Sequence, residues 1–193
     1  MKLAAFGFGR KLGNTEVFLK EALMGAQELG VTVEFYRMNE FKVHTCTACS
    51  PQFCPSSRRD IHDCPYQDDT PFLADCFLDS DGILIGAPVY ALSPGSMFFA
   101  FRDRVFGPKM DVAKKELGFP DAPWIAGRMR ARPGGLISVG GALTEHWTSS
   151  GLPNLYTATF SAQTEVVDML NIHGVADPGA ATMEVEYLQK ARR

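Results

Sequence analysis

Short uninterrupted apolar runs alternate along this chain with longer segments whose apolar residues recur every three or four positions. Residues 2 to 6, KLAAF, are such a run and stop at Gly7 and Gly9, which predicts a buried strand followed by a loop. From Thr15 to Leu29, the residues Leu19, Ala22, Leu23, Ala26 and Leu29 recur at helical spacing, with Asn14 or Thr15 as the N-cap and Gly30 as the stop. Val31 to Tyr36 alternates apolar with polar residues and is rich in β-branched and aromatic types, so it reads as a second strand. Strand, helix and strand in that order predict a βαβ unit and hence a parallel sheet.

The alternation continues. A helix is expected over 67–79 and a strand over 81–90, whose apolar centre Ile83 to Ile85 suits burial on both faces. Residues 95–106 present Met97, Phe98, Phe101 and Val105 on one helical face, and Gly135 to Val139 begins another buried strand. A helix near 157–163, a last strand from Val166 to Ile172 and a closing helix over 180–193 complete the series. Between them, residues 107–133 carry Pro108, Pro120, Pro123 and Pro133 and predict an irregular excursion with one helical turn near Val112 to Leu117. The whole, residues 1–193, is expected to form one doubly wound α/β domain.

Composition narrows the partners. With 193 residues and 46% hydrophobic content the chain can bury a full core. A net charge of -3 provides no basic field for nucleic acid or an anionic membrane. No apolar run approaches the roughly 20 residues of a membrane helix, and Met1 to Phe8 meets glycines too early for a signal peptide, so a cytoplasmic location is expected. In that compartment thiols stay reduced. Four of the five cysteines, Cys46, Cys49, Cys54 and Cys64, lie in a proline- and serine-bearing loop over 44–66, which points to metal or redox use. Four thiolates with one C-x2-C pair suit tetrahedral zinc, and free thiols are the third reading. Cys76 falls in a helical pattern and reads as a small core residue.

In a doubly wound sheet, ligands sit beyond the carboxyl ends of the strands, where the strand order reverses. Three loops leave at that edge. The first, Gly7 to Thr15, offers backbone N–H groups, Asn14, the Thr15 hydroxyl and a helix N-terminus, which suit a phosphate; a plain strand-to-helix turn is the alternative. The second, Ala87 to Ser96, carries Pro88 and Tyr90, fit to border a flat ring or simply to pack. The third, Gly140 to Trp147, has glycines that let backbone approach a ring and a tryptophan that either covers it or caps a core edge.

GRKLGNTE in the first loop, CTACxxxxC followed by a further cysteine and then DD, GAPVY, FRDR and the SVGG strand end together resemble the NADPH-dependent FMN reductase and iron-sulfur flavoprotein family. The likeness runs from residue 1 to about Gly179. It implies a flavodoxin-like fold, a five-stranded parallel sheet of order 2-1-3-4-5 with the cysteine-rich loop after the second strand. It also implies FMN, its phosphate held by Arg10, Asn14, Thr15 and the backbone of Gly9 and Gly13, its ring against Pro88, Val89, Tyr90 and the Gly140–Gly141 turn. Iron-sulfur flavoproteins carry four cysteines on a 4Fe-4S cluster, which the resemblance places on Cys46, Cys49, Cys54 and Cys64. Here two, four and nine residues separate them, wider than the family's usual run. Two other departures stand out: Phe8 and Gly9 replace a common Ser-Pro, and Phe99 replaces a common lysine.

His62 is a weaker ligand candidate, and Asp68 and Asp69 read as a helix cap. Asp103 and Arg104 read as an ion pair or a helix end, while His146 beside Glu145, with Tyr90, are the candidate catalytic groups. The expected activity is FMN-dependent oxidoreduction, moving electrons between NAD(P)H or ferredoxin and a small acceptor such as a quinone or flavin. A dehydrogenase of one metabolite and a non-enzymatic zinc- or flavin-binding protein are the alternatives. Related proteins form dimers or tetramers, which makes a homo-oligomer the expectation here.

Overall fold

The computed structural model of the chain describes residues 1–47, 49, 62, 64–105, 131–161 and 164–193. Its elements are β1 (Lys2–Gly7), α1 (Asn14–Glu28), β2 (Thr32–Arg37), α2 (Thr70–Leu78), β3 (Gly82–Tyr90), β4 (Ser93–Pro94), α3 (Ser96–Val105), β5 (Arg132–Val139), α4 (Gly151–Ser161), β6 (Thr164–Ile172) and α5 (Val185–Arg192). Single 3-10 turns lie at Met38–Glu40, Glu145–Trp147 and Ala180–Met183.

Five strands run parallel in the order β2-β1-β3-β5-β6, and β4 pairs antiparallel with β3 off that path. The sheet therefore has six strands where five were expected. The addition is a two-residue hairpin: Tyr90 pairs Ser93, and Ala91 and Leu92 between them take φ values of 45° and 65°. Two positive φ angles twist the turn in the hand that a hairpin needs, but alanine and leucine carry none of the usual Asn-Gly signal for it.

The faces divide the core in two. Ala4, Phe6, Ile83 and Ile85 point to the side covered by Leu73 and Phe77 of α2, Phe98 and Phe101 of α3 and Leu155 of α4. Ala5, Ile137 and Ile172 point to the other side, under Phe18, Leu19 and Leu23 of α1, with Tyr187 and Leu188 of α5 at its margin. Apolar residues at adjacent strand positions thus serve opposite faces, which is why β1 and β3 read as unbroken apolar runs. Around Phe6, the rings of Tyr36, Phe77 and Phe101 lie at centroid distances of 5.1, 5.8 and 5.4 Å.

Other boundaries moved for local reasons. Gly13, in extended conformation, is the N-cap of α1, so Asn14 and Thr15 begin the helix and neither caps it. The helix expected near 157–163 starts at Gly151, six residues earlier, after a short turn over 148–150 whose Thr148 O accepts from Gly151 N at 3.0 Å. The closing segment is a 3-10 turn and a shorter helix, not one helix over 180–193. Most of the 107–133 excursion falls outside the described residues; its last residues, Arg132 and Pro133, already belong to β5. Among the described residues no helix is long and apolar enough to cross a membrane.

Candidate active site at the carboxyl edge

Strand order reverses between β1 and β3, and the loops that follow β1, β3, β5 and β6 enclose a cleft there. It measures about 320 Å³ and is lined by Gly9, Arg10, Gly13, Asn14, Thr15, Pro88, Val89, Tyr90, Val139, Gly141, Val175 and Ala176. Of the residues expected to seat a cofactor, only Gly140 is missing from that lining. Gly140 acts from behind: a Cβ there would run into Thr148 Cγ2, so the β5 strand end and the turn before α4 could not pack. Val139, Val175 and Ala176 were not foreseen. Val175 and Ala176 sit some 160 residues from the β1–α1 loop in sequence, and nothing in their local pattern marks them as a wall.

One end of the cleft is built from α1. The helix has no side-chain cap, so its first-turn N–H groups have no capping side chain, and Gly13, Asn14 and Thr15 at its start line the cleft. The positive end of the helix dipole and the Arg10 guanidinium add charge of the sign an anion needs. Asn39 Nδ2 donates to Gly9 O at 2.9 Å and Gly13 N to Arg10 O at 3.0 Å, which fixes the loop.

Asn14 lines the cleft and is also tied into the fold. Its side chain is buried and donates to Val175 O at 3.1 Å and Asp177 O at 2.9 Å, while its oxygen accepts from Ala181 N at 3.3 Å. Both side-chain groups are thereby engaged by the segment after β6. Together with Val175 N, which donates to Gly140 O at 3.1 Å, its side chain holds Val175 and Ala176 as a wall of the cleft.

The opposite end is open. Tyr90 is 55% exposed, Leu92 48% and Trp147 59%. Ser150 Oγ donates to Leu92 O and so joins the hairpin to the turn before α4. His146 lies exposed in the Glu145–Trp147 turn, and its carbonyl accepts from Ser149 Oγ at 2.9 Å; it is not among the cleft-lining residues.

The cysteine segment is tied at its base. Lys42 N donates to Asp69 Oδ2 at 2.7 Å, Asp69 N to Lys42 O at 2.9 Å, and His44 N to Asp68 Oδ2 at 2.8 Å. Arg104 crosses from α3, with Nη1 donating to Asp68 Oδ2 at 2.8 Å and to His44 O at 3.1 Å. It stands over the Tyr66 ring at 5.3 Å. Of the two readings of Asp103 and Arg104, the helix end holds, since both lie in the last turn of α3, while the ion pair between them gives way to one of Asp103 with Arg102 at 2.8 Å. Asp68 also accepts from Thr70 N at 3.0 Å and caps α2, while Asp69 occupies the formal N-cap with no such bond. Burial by itself would raise the Asp68 carboxyl, but Arg104 and the N–H groups of His44 and Thr70 outweigh it and hold the group below the usual range.

Cys46 and Cys49 are exposed and Cys64 is half-buried, packed on the core below α2 and α3. Cys54 lies outside the described residues. Among the described residues no three His, Cys, Asp or Glu side chains assemble as a metal site. His62 meets Asp75 at 3.0 Å. Cys76 is buried in α2, and burial pushes its thiol up, as a core position requires.

A parallel sheet of this order with an uncapped helix N-terminus at its switch point defines the class of flavodoxin-like proteins. The family model for NADPH-dependent FMN reductase matches residues 1–172, and the chain belongs to that family. It is 27% identical over 197 residues to a flavone synthase of Aspergillus candidus, across 99% of this chain and 61% of that protein. An iron-sulfur flavoprotein of Methanocaldococcus jannaschii is 31% identical over 84 residues, 44% of this chain and 40% of that one. A solved flavone reductase superposes with a TM-score of 0.69 at 26% identity, covering all of this chain and 59% of the other. The chain thus spans about three-fifths of the length of the first two flavone-related proteins.

Proposed function

We propose that this protein is an FMN-dependent oxidoreductase that passes reducing equivalents from NAD(P)H to a small flat acceptor. The observation that carries the reading is the cleft itself, an anion-receiving helix start at one end and an open, partly aromatic rim at the other. The residues present suit FMN: Gly13 leaves room where a Cβ would meet Arg10 Cγ at 2.8 Å, and the first turn of α1 provides donors for a phosphate. Bound flavin would supply the hydride and electron transfer.

The chain's own part is seating and exclusion. Arg10 and the backbone from Gly9 to Thr15 hold the phosphate, which fixes how deep the flavin enters. Pro88 and Val89, rigid and apolar, back the ring, and the Gly140–Gly141 turn allows close approach of backbone from the β5 side. Tyr90, half exposed at the rim, borders the acceptor. NAD(P)H gives up a hydride, and the acceptor takes its two electrons and one proton together with a second proton from solvent. His146, outside the lining, is a proton donor only if the acceptor reaches over the rim to the Glu145–Trp147 turn.

A second reading, a dedicated enzyme for one metabolite, is favoured by the apolar rim. Tyr90, Leu92, Leu143 and Trp147 are exposed on the two loops beside the ring end, which suits a planar, conjugated acceptor better than a highly charged one. The names of the flavone synthase and flavone reductase relatives support the same class. The cysteine segment enters as an expected iron-sulfur cluster, with zinc competing, supported by its four cysteines and the partial likeness to iron-sulfur flavoproteins. Metal content of anaerobically prepared protein, with sulfide, decides that part. A homo-oligomer in the cytoplasm and a ferredoxin as alternative electron donor remain part of the proposal.

The test is reconstitution with FMN followed by stopped-flow mixing with NADPH. Flavin bleaching by NADPH, then recovery with a quinone or a flat phenolic enone, is the expected course. Failure to retain FMN would end the reading. Bleaching with no recovery by the enone but recovery by quinone would favour the general reductase over the dedicated enzyme.

A further inference from the structure

The loop between β1 and α1 takes its shape from a side chain outside the cleft lining. Leu12 has φ 56°, a left-handed conformation that is uncommon for leucine and costs free energy unless its surroundings hold it. Its N–H donates to Glu16 Oε2 at 3.1 Å. Glu16, in the first turn of α1, is only 3% exposed, and it also accepts from Arg37 Nε and Nη2 at 2.8 Å each and from Lys20 Nζ at 2.6 Å. Arg37, at the end of β2, stands over the Phe35 ring at 5.8 Å, which limits where its fork can point. A carboxylate this near an anion-receiving loop would repel the anion if left unpaired. Two cations neutralise it, so what remains is its grip on the Leu12 N–H.

We propose that Glu16, clamped by Arg37, is the positioning residue that holds the Arg10–Asn14 loop in its anion-receiving form and so sets the preference for phosphorylated over unphosphorylated flavin. This rests on the FMN reading. Glu16 touches no ligand; it acts through Leu12 and the turn closed by Gly13 N and Arg10 O. Removing it lets Leu12 relax toward negative φ, and the donors of the loop then lose their convergence. Only the phosphate end should feel the change.

Titration of the full chain with FMN and with riboflavin, followed by flavin fluorescence, tests this in wild type, Glu16→Ala and Glu16→Gln. Glu16→Ala is expected to weaken FMN roughly tenfold while riboflavin changes less than about twofold. Glu16→Gln keeps an oxygen for the Leu12 N–H but weakens the Arg37 clamp, and should lower the FMN-to-riboflavin preference about threefold. Faster hydrogen exchange at the Leu12 amide should accompany both. If Glu16→Ala does not fold, Glu16→Gln carries the same readout. An unchanged preference in the folded variants, or a parallel fall for both flavins, would overturn the assignment. A wild-type chain that binds riboflavin as well as FMN would instead overturn the FMN reading, and this inference with it.

Discussion

Two loops leave the carboxyl edge from neighbouring strands, one after β1 and one after β2, and each is tied by an arginine–carboxylate pair. Under the cysteine segment, Arg104 and Asp68 are 3% and 0% exposed, and their remaining hydrogen bonds go to the backbone of residues 44 and 70. Beneath the phosphate loop, Glu16 is 3% exposed but Arg37 is 15% exposed and shared with Glu40. The first pair joins the two ends of a long insertion to a core helix. The second shapes a short turn at a ligand site and keeps one edge in water. A fully buried pair is costly to break because the surviving charge has no partner, whereas the half-wet one leaves a charge that solvent can reach. The same chemistry therefore serves fold in one loop and, on the proposed reading, binding in the other.

The comparison breaks most visibly at Asp68. Asp68→Ala strands the buried Arg104 guanidinium and should destabilise by about 3–5 kcal/mol, lowering the midpoint of thermal unfolding by roughly 10 °C. A shift of a degree or two would mean that the pair is not the staple of the insertion. Asn at the same position keeps some of the hydrogen bonds and should cost less.

Gly140→Ala should come next. The added methyl meets Thr148, and overpacking of this kind costs about 1–3 kcal/mol. Because the displaced turn leads into α4 beside Val89, flavin retention should fall with stability; denaturant unfolding and bound-flavin quantification on one preparation show whether the two move together.

Acid sharpens the contrast between the two pairs. Hydrogen bonding from Arg37, then Lys20 and the Leu12 N–H, lowers Glu16 from 4.5 to about 2 against the opposing effect of burial. A folded-state value below the unfolded one gives stability that is full above about pH 4.5 and is lost as pH falls toward 2. Asp68, also lowered, acts with the same sign. Unfolding free energy should then decline steadily below that point, and the decline should be shallower in Glu16→Gln, which cannot take up the proton. An equal slope in the variant would mean that Glu16 is not the titrating anchor.

Tyr90→Ala is expected to have the smallest effect on the fold. Its ring is more than half exposed, so unfolding should move by less than about 0.5 kcal/mol. Loss of an aromatic border should still weaken a flat acceptor by about 1 kcal/mol, visible as a raised KM for the acceptor with the NADPH half-reaction unchanged.

Much of this was legible along the chain. Runs such as LAAF and ILI are strands buried on both sides, and the glycines and proline after them mark the edge where the lining residues Gly9 to Thr15 and Pro88 to Tyr90 occur, although Pro88 to Tyr90, expected in a loop, still belong to β3. The β4 hairpin was not legible, since Ala91 and Leu92 adopt positive φ without any residue that favours it. Neither was the far wall, because Val175 and Ala176 are held at the cleft by backbone bonds to the Gly140–Ala142 turn and by the Asn14 side chain, 161 and 163 positions from its two carbonyl partners.

By itself the sequence determined the layer order and which strand ends carry the ligand loops, because hydrophobic period and turn residues act over a few neighbours. Tertiary structure decided what each polar side chain does. Asn14 looks outward-facing in the sequence and is a buried tie; Arg104 has an acid next to it and pairs with one 36 residues away. A buried polar group must find partners wherever the fold brings them, and that choice depends on three-dimensional proximity that no local pattern encodes.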